Sequence, residues 1–313
     1  MEIDSQGAKL ARSCNSSGVI RIAVVVLAFV ACGSKADKAP PPASAPAAAA
    51  PSAVELVTPG AAPRQLVHYA LAKGVRTTIE LAVDVELLAS AMGGPVPTLV
   101  MTMEIGADDV LPDGRMVVRS TVAKVSARDR AGSKISADTM TQQASMLVGI
   151  GVVGKLSPNG ALSDAHLDYG TQQVPDEMKA QLGSLTKGFE RVALALPDVP
   201  IGVGAVWRTR KDVEESGAHM TATTTIEVTA IEGSKITYTR TAEVTGPDQT
   251  IQQLGVDVTM KHIAGKGGGH GTLDLTRMVL DGEMSDELHD ELSGGGQTMV
   301  ATMTMHSTYR TLP

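Results

Sequence analysis

The chain has 313 residues, a formal net charge of −7 and a hydrophobic share of 43%, yet aromatic residues make up only 2% of it. An acidic chain with so few flat side chains lacks both the cations that neutralise phosphates and the rings that stack on bases, which argues against a nucleic-acid partner. Its core has to be aliphatic, drawn from Val, Leu, Ile, Ala and a stock of 15 Met.

The N-terminal segment reads as an export signal. Lys9, Arg12 and Arg21 precede the run Ile22-Ala23-Val24-Val25-Val26-Leu27-Ala28-Phe29-Val30-Ala31. That run is too short to cross a bilayer, which takes about 20 residues, but it suits the apolar centre of a signal peptide. It ends in Phe29-Val30-Ala31-Cys32-Gly33, which resembles a lipobox, with Phe29 where Leu is commonest. The resemblance implies cleavage after residue 31, diacylation of Cys32 and a membrane anchor made of several acyl chains, since one chain alone holds only marginally. Cleavage would remove three basic and two acidic residues and leave a mature charge of −8. Gly33 and Ser34, in place of an acidic residue, resemble an outer-membrane address. Cys14 and Cys32 are the two cysteines of the chain, so the folded part holds no disulfide and is stable by packing alone.

Residues 33–64 are rich in Ala and Pro and poor in large apolar side chains. Such a stretch cannot bury enough surface to offset its ordering entropy, so residues 32–64 are expected to form a lipidated, disordered tether.

From Gln65 to Pro313 the dominant period is two, the mark of strands with one face buried. Residues 76–87 set Thr77, Ile79, Leu81, Val83 and Val85 against Thr78, Glu80, Ala82, Asp84 and Glu86, and residues 99–105 set Leu99, Met101, Met103 and Ile105 against Val100, Thr102 and Glu104. The beat returns at 116–125, 220–228, 235–244, 256–263 and 298–309. Turn signals at Pro112-Asp113-Gly114, Glu232-Gly233-Ser234 and Gly246-Pro247-Asp248 separate these runs, and the glycine-rich stretch Gly265–Gly271 is expected to be a flexible hairpin. Two segments have helical spacing. In 175–192, Met178, Leu182, Leu185, Phe189 and Val192 step by four and three, with Pro175 at the start and Lys187 and Arg191 near the end; a weaker candidate runs from Asp138 to Val148 around Met140, Ala144 and Met146 or Leu147.

A faint internal echo sets Thr102–Ile105, Asp113-Gly114 and Ser120–Val125 beside Thr225–Val228, Glu232-Gly233 and Arg240–Val244, each preceded by a glycine-led strand at Gly74 and Gly204. Chance likeness among amphipathic strands is an equal alternative. If the echo is real, residues 65–170 and 200–313 are two meanders joined by the helix at 175–192 and set edge to edge in one sheet. The expected fold is therefore mostly β: a curved, half-barrel-like antiparallel sheet covered by one or two helices.

Three stretches resemble a family of uncharacterised bacterial lipoproteins: His68-Tyr69-Ala70-Leu71-Ala72-Lys73-Gly74, Leu156-Ser157-Pro158-Asn159-Gly160, and Leu196-Pro197 with Ile201-Gly202-Val203-Gly204-Ala205-Val206-Trp207. The resemblance spans most of residues 65–313. It implies a curved β domain similar to the half-barrels of periplasmic lipoprotein and lipid carriers, and it carries no assigned activity.

No constellation points to catalysis or to a cofactor. The seven histidines show no H-E-x-x-H spacing, no G-x-S-x-G elbow occurs, and Gly265–Gly271 lacks the Lys-Ser/Thr ending of a phosphate loop. The acidic run Asp281, Glu283, Asp286, Glu287, Asp290 and Glu291 has no calcium-loop spacing and reads as a solvated helix or loop face. The expectation is a non-enzymatic envelope lipoprotein, anchored through Cys32, that binds an apolar ligand or a protein partner; a structural or assembly role in the envelope is the alternative. The methionine-rich strand face supplies the candidate ligand-facing residues Met101, Met103, Met303 and Met305, because thioether chains adapt to irregular apolar guests. Core filling by the same methionines is the competing reading.

Overall fold

A computed structural model describes residues 54–89, 93–175, 179, 182, 186, 193–215, 217–253, 256–294 and 297–313. The signal segment, Cys32 and the chain as far as residue 53 lie outside the described residues, as does most of 175–192.

The period-two runs form strands in one antiparallel sheet that does not close on itself. In chain order these are β1 (Val54–Pro59), β2 (Arg76–Ala89), β3 (Gly94–Pro95), β4 (Thr98–Val110), β5 (Met116–Arg128), β6 (Gly151–Leu156), β7 (Leu162–Asp168), β8 (Ala205–Glu215), β9 (Ala218–Glu232), β10 (Lys235–Thr245), β11 (Gln249–Gln253), β12 (Val256–Asp274), β13 (Val279–Gly294) and β14 (Gln297–Thr311). Across the sheet the order is β1-β8-β9-β10-β12-β13-β14-β2-β4-β5-β6-β7, with β3 and β11 attached to β2 and β12. Two runs of sequential hairpins thus meet where the last strand, β14, pairs with β2.

One face of this sheet carries the core. Along β2, Thr77, Ile79, Leu81, Val83 and Val85 are all buried, and directly opposite on β4 lie Leu99, Met101 and Ile105. The outer face carries the Thr and charged positions of the same strands, among them Glu80 and Asp84. Helix α1 (Ala137–Ala144) and the 3₁₀ turn Ser145–Leu147 pack on β5 and bury Met140, Ala144 and Leu147, the stripe expected from spacing. The α1 start is fixed by Ser136, whose hydroxyl accepts from the Thr139 amide at 3.2 Å, and by Asp138 in the first turn. Of the expected helix at 175–192, Lys179, Leu182 and Thr186 are helical. Leu182 is fully buried in the cluster formed by β2, β4 and α1, while Lys179 is exposed with its ammonium 5.9 Å from the Tyr169 ring centre. Met178, Leu185, Phe189 and Val192 lie outside the described residues.

At the other end of the strands the core is completed by irregular chain. Residues 65–73 and 193–203 cross this end, and Tyr69, Leu71, Leu196, Ile201 and Trp207 are buried there together. The Tyr69 hydroxyl donates to the Leu194 carbonyl at 3.2 Å and accepts from the Leu194 amide at 2.9 Å; the Trp207 indole donates to the Ala195 carbonyl at 2.9 Å. The Tyr69 amide reaches Pro158 O and the Leu196 amide reaches Asn159 O, each at 2.8 Å. Gly160, at φ +84°, turns the chain so closely that a Cβ there would sit 2.2 Å from Leu194 O. The three stretches that carry the family resemblance are therefore the parts that seal this end.

The two halves share local geometry. Gly74 and Gly204 both take positive φ, and their amides donate to Ala107 O and Val228 O, each at 2.8 Å. Each half then has a bulge in the next ladder, at Asp108 and at Thr229, and the β4–β5 ladder has a second one at Ala123.

Three expectations are corrected. The stretch 54–64 is not tether: Val54, Leu56 and Pro59 lie opposite Thr209, Trp207 and Ala205 of β8, and beyond β1 the pairing continues through Gln65 and Ile201. Val54 and Leu56 pack against the core, a short alternation hidden by the Ala/Pro composition around it. Gly60 at φ +77° lets this segment close on residues 202–205, where a Cβ would come 2.4 Å from Gly202 O. Gly265–Gly271 is no hairpin but the middle of β12, paired on both sides. The acidic run is neither helix nor loop; it is β13, whose acids on the outer face meet bases of β12.

A chain beginning at Pro51 should keep the denaturant midpoint of the full-length protein. One beginning at Gln65 loses β1 and uncovers the edge beside Trp207, and its midpoint should fall measurably in a urea titration followed by circular dichroism.

Candidate functional site

The core face of the C-terminal half is shaped by glycine. Pairing puts Gly265, Gly267, Gly269 and Gly271 of β12 on this face, between Val244, Ala242, Arg240 and Tyr238 of β10 and Leu288, Asp286, Met284 and Gly282 of β13. Glycine is disfavoured in strands, so four at alternate positions call for a packing reason. The reason is that neighbouring side chains lie across the bare backbone. A Cβ on Gly267 would stand 1.8 Å from Asp286 Oδ1, and one on Gly269 would stand 3.1 Å from the Met284 side chain. Arg240 reaches over from β10, its Nη1 3.3 Å from Asp286 Oδ1 and 3.6 Å from Met284 Sδ. Tyr238 and Tyr309 stand on either side of the Gly271–Gly282 pair, and burial pushes both phenols well above their usual range.

One row across six adjacent strands, Ala222, Val244, Gly265, Leu288, Met303 and Leu87, is apolar throughout and half-buried at every position. At the N-terminal half, the same face is covered by α1 and by Leu182. This half-buried apolar row is a trough only in the sense that Gly265 leaves its backbone bare between Val244 and Leu288, and the Arg240–Asp286 pair lies to one side of it along the strands.

The four methionines singled out from sequence all lie on the core face, in different surroundings. Met101 is 1% exposed and belongs wholly to the core. Met103 is half-buried between the two core clusters. Met303 and Met305 are half-buried and pack, like Leu87, against the cluster that holds Met140 and Leu182, as core filling requires, while Met303 also belongs to the apolar row. The trough residues of β12 and β13 were missed, because a glycine run and an acid run conceal the strand alternation that would have shown them.

Among the described residues no group of three or more His, Cys, Asp or Glu side chains is arranged to hold a metal ion. The histidines of β12 and β13 pair instead with outer-face acids: His262 with Glu291 at 3.5 Å, His270 with Glu283 at 3.8 Å, and His289 with Glu287. Lys266 adds a contact to Glu287 at 3.7 Å. Exposed pairs of this kind are worth about 0–1 kcal/mol each. His262–Glu291, His270–Glu283 and Lys266–Glu287 link β12 to β13, whereas His289–Glu287 lies within β13. On the outer face of the other half, Arg119 bridges Asp108 and Asp168, and Arg76 joins Asp108.

Comparison with known protein families and with characterised proteins finds no family and no sequence that matches this chain. The trough therefore has to be interpreted from its own groups.

One of those groups is anomalous. Asp290 is on the core face of β13, opposite Ala301, and its Oδ1 is shut off from solvent without a hydrogen-bond partner among the described residues. Burial pushes its carboxyl above the usual carboxylate range, and the neighbouring His289 opposes that shift. In the unfolded chain the same carboxyl titrates near its ordinary value of about 4. Raising the pH through the folded-state value then ionises a carboxyl that the native state resists ionising, so native stability falls. Asp290→Asn should accordingly raise the denaturant midpoint relative to the parent at pH 8, and the difference should vanish below pH of about 4. A midpoint difference constant with pH would mean that Asp290 is not the titrating group.

Proposed function

We propose that this chain is a lipid-anchored protein of the bacterial envelope, held at the outer membrane by an acylated Cys32, and that its sheet, curved as a half-barrel, binds an apolar ligand such as an acyl chain without catalysing a reaction. The observation that carries the reading is the half-buried row from Ala222 to Leu87. An apolar row across six strands that is only half-buried, with few polar groups beside it, suits a site for an apolar ligand. The lipobox-like Val30-Ala31-Cys32 and the Ala/Pro-rich stretch that follows support the anchor. No helix among the described residues is long and apolar enough to cross a membrane, so attachment in this reading rests on the lipid. The resemblance to uncharacterised lipoproteins is consistent with both parts.

A second reading, an assembly or structural factor of the envelope, is favoured by a different patch. Leu88 and Val300 are 53% and 63% exposed and lie on the outer face near one end of the β2–β14 pair, with Met299, 38% exposed, on the opposite face of the same strand end. Apolar surface at a sheet end suits a protein contact.

Two measurements bear on these readings. Cys32→Ser should move the protein from the detergent to the aqueous phase and remove the acyl mass; retention in detergent with unchanged mass would refute the anchor. Titration with a fluorescent alkyl-chain probe should saturate, and the double variant Leu288→Gln with Met303→Gln, its β-type circular dichroism intact, should bind at least tenfold more weakly. If the probe binds without saturation, or the double variant binds it equally well, the trough is not a ligand site.

A further inference from the structure

Resting on the apolar-ligand reading, we propose that the trough takes a cationic amphiphile, with the apolar chain on the row from Ala222 to Leu87 and a primary ammonium on Asp290. The argument starts from the unpartnered oxygen. A carboxylate oxygen withdrawn from water without a donor is costly, and in folded proteins such groups nearly always find one. The side chains that share the core face around Asp290 are Leu288, Leu292, Ala301 and Met303, and none of them donates a hydrogen bond. The nearby cations lie elsewhere: Arg240 meets Asp286 on this face, Lys266, His262 and His289 meet Glu287 and Glu291 on the outer face, and Lys261 stands opposite Glu291 in the ladder, on that same outer face. His289 also contacts the Thr302 hydroxyl at 2.9 Å.

Charge and position agree on the ligand's chemistry. On the core face of β10, β12, β13 and β14 there are two carboxylates, Asp286 and Asp290, and one cation, Arg240. An anionic head would have to displace Asp286 from Arg240 and then sit beside two acids. An ammonium offers three donors, needs to displace nothing, and supplies the charge that the face lacks. Asp290 lies two residues along β13 from Leu288, about 7 Å, so a head at Asp290 leaves the chain free to follow the apolar row. The chain's overall charge of −7 draws cations toward it from solution.

The test compares dodecylamine, dodecanol and laurate, three heads on one chain length, by displacement of the alkyl-chain probe from the full-length protein below their aggregation concentrations. Dodecylamine should bind at least tenfold tighter than dodecanol. Asp290→Asn should bring the amine to the level of the alcohol while leaving alcohol binding within twofold. Ala301→Lys, which sets a resident ammonium opposite Asp290, should erase the preference as well and serves if the Asn variant fails to fold. Glu283→Gln, an outer-face control for general acidity, should leave the preference intact. Equal affinities for the three, a preference for laurate, or an amine preference that survives both core-face variants overturns the ammonium assignment while the trough stands. No saturable binding of any of the three overturns both readings.

Discussion

The pairing of β14 with β2 is the constraint on which the rest of the structure depends. It joins strands some 220 residues apart in sequence, and without it the protein would be two meanders, each with a free apolar edge. The register sets Tyr309, Ser307, Met305 and Met303 opposite Leu81, Val83, Val85 and Leu87. Since side chains alternate strictly along a strand, a slip of one residue would carry all four to the outer face and replace them with Thr308, His306, Thr304 and Thr302. The Arg310 to Glu80 contact at 3.0 Å adds little energy in its exposed position, but it favours this register over its neighbours. Because the pairing is so remote in sequence, its loop-closure cost must be met before the joint core repays it, which predicts late formation of the seam during folding.

Once the seam is made, both halves present one continuous apolar face, and they cover it differently. The N-terminal half uses α1, its 3₁₀ extension and Leu182 to shut Met101, Leu99 and Val83 away from water. Tyr69, Leu196 and Trp207 do the same at the sealed end for both halves. The far part of β10, β12, β13 and β14 has the glycine stripe instead. Removing four side chains from the middle of a sheet sacrifices strand propensity and packing, and the deficit is made up by laying Arg240, Asp286 and Met284 over the gap. That compromise leaves the row from Ala222 to Leu87 half-buried, which is why the ligand reading attaches to this half and not to the other.

The architecture was largely legible where hydrophobic alternation is clean. β2, β4, β5, β9, β10 and β14 could be placed to within a few residues because Leu, Val, Ile and Met alternate there with Thr and charge. Three parts were not legible, each for a physical reason. β12 was legible over 256–263, but from 265 to 271 its inward positions are glycines, which signal turns in any local reading, and only the neighbouring strands show that their missing side chains are useful. In β13 the inward Leu280, Met284, Leu288 and Leu292 are interrupted by Gly282, Asp286 and Asp290, so the apolar beat returns only every fourth residue and imitates a helix. In β1 the alternating stretch is short and set in Ala/Pro-rich chain, so composition outweighed pattern. The candidate site inherits these blind spots. Met303 and Met305 were visible from sequence, whereas Gly267, Asp286 and Asp290, which give the trough its shape and charge, were hidden in the two stretches least like strands.

That coincidence has a physical basis. A strand whose inward positions serve only the core can be written in Val, Leu and Ile, and it announces itself by its period. One that must leave room above its backbone, or present a carboxylate inward, departs from the pattern at the positions where it does so. Asp290 shows the cost directly: it sits where an apolar residue would fit Leu288, Leu292 and Met303 better, and it has no partner there. Asp286 differs because Arg240 answers it. Of the two inward acids of β13, one is thus accounted for by the fold itself, and the other by nothing within the described chain. In the proposed reading the ammonium of a bound amphiphile is what answers the unpartnered Oδ1 of Asp290, as Arg240 answers Asp286.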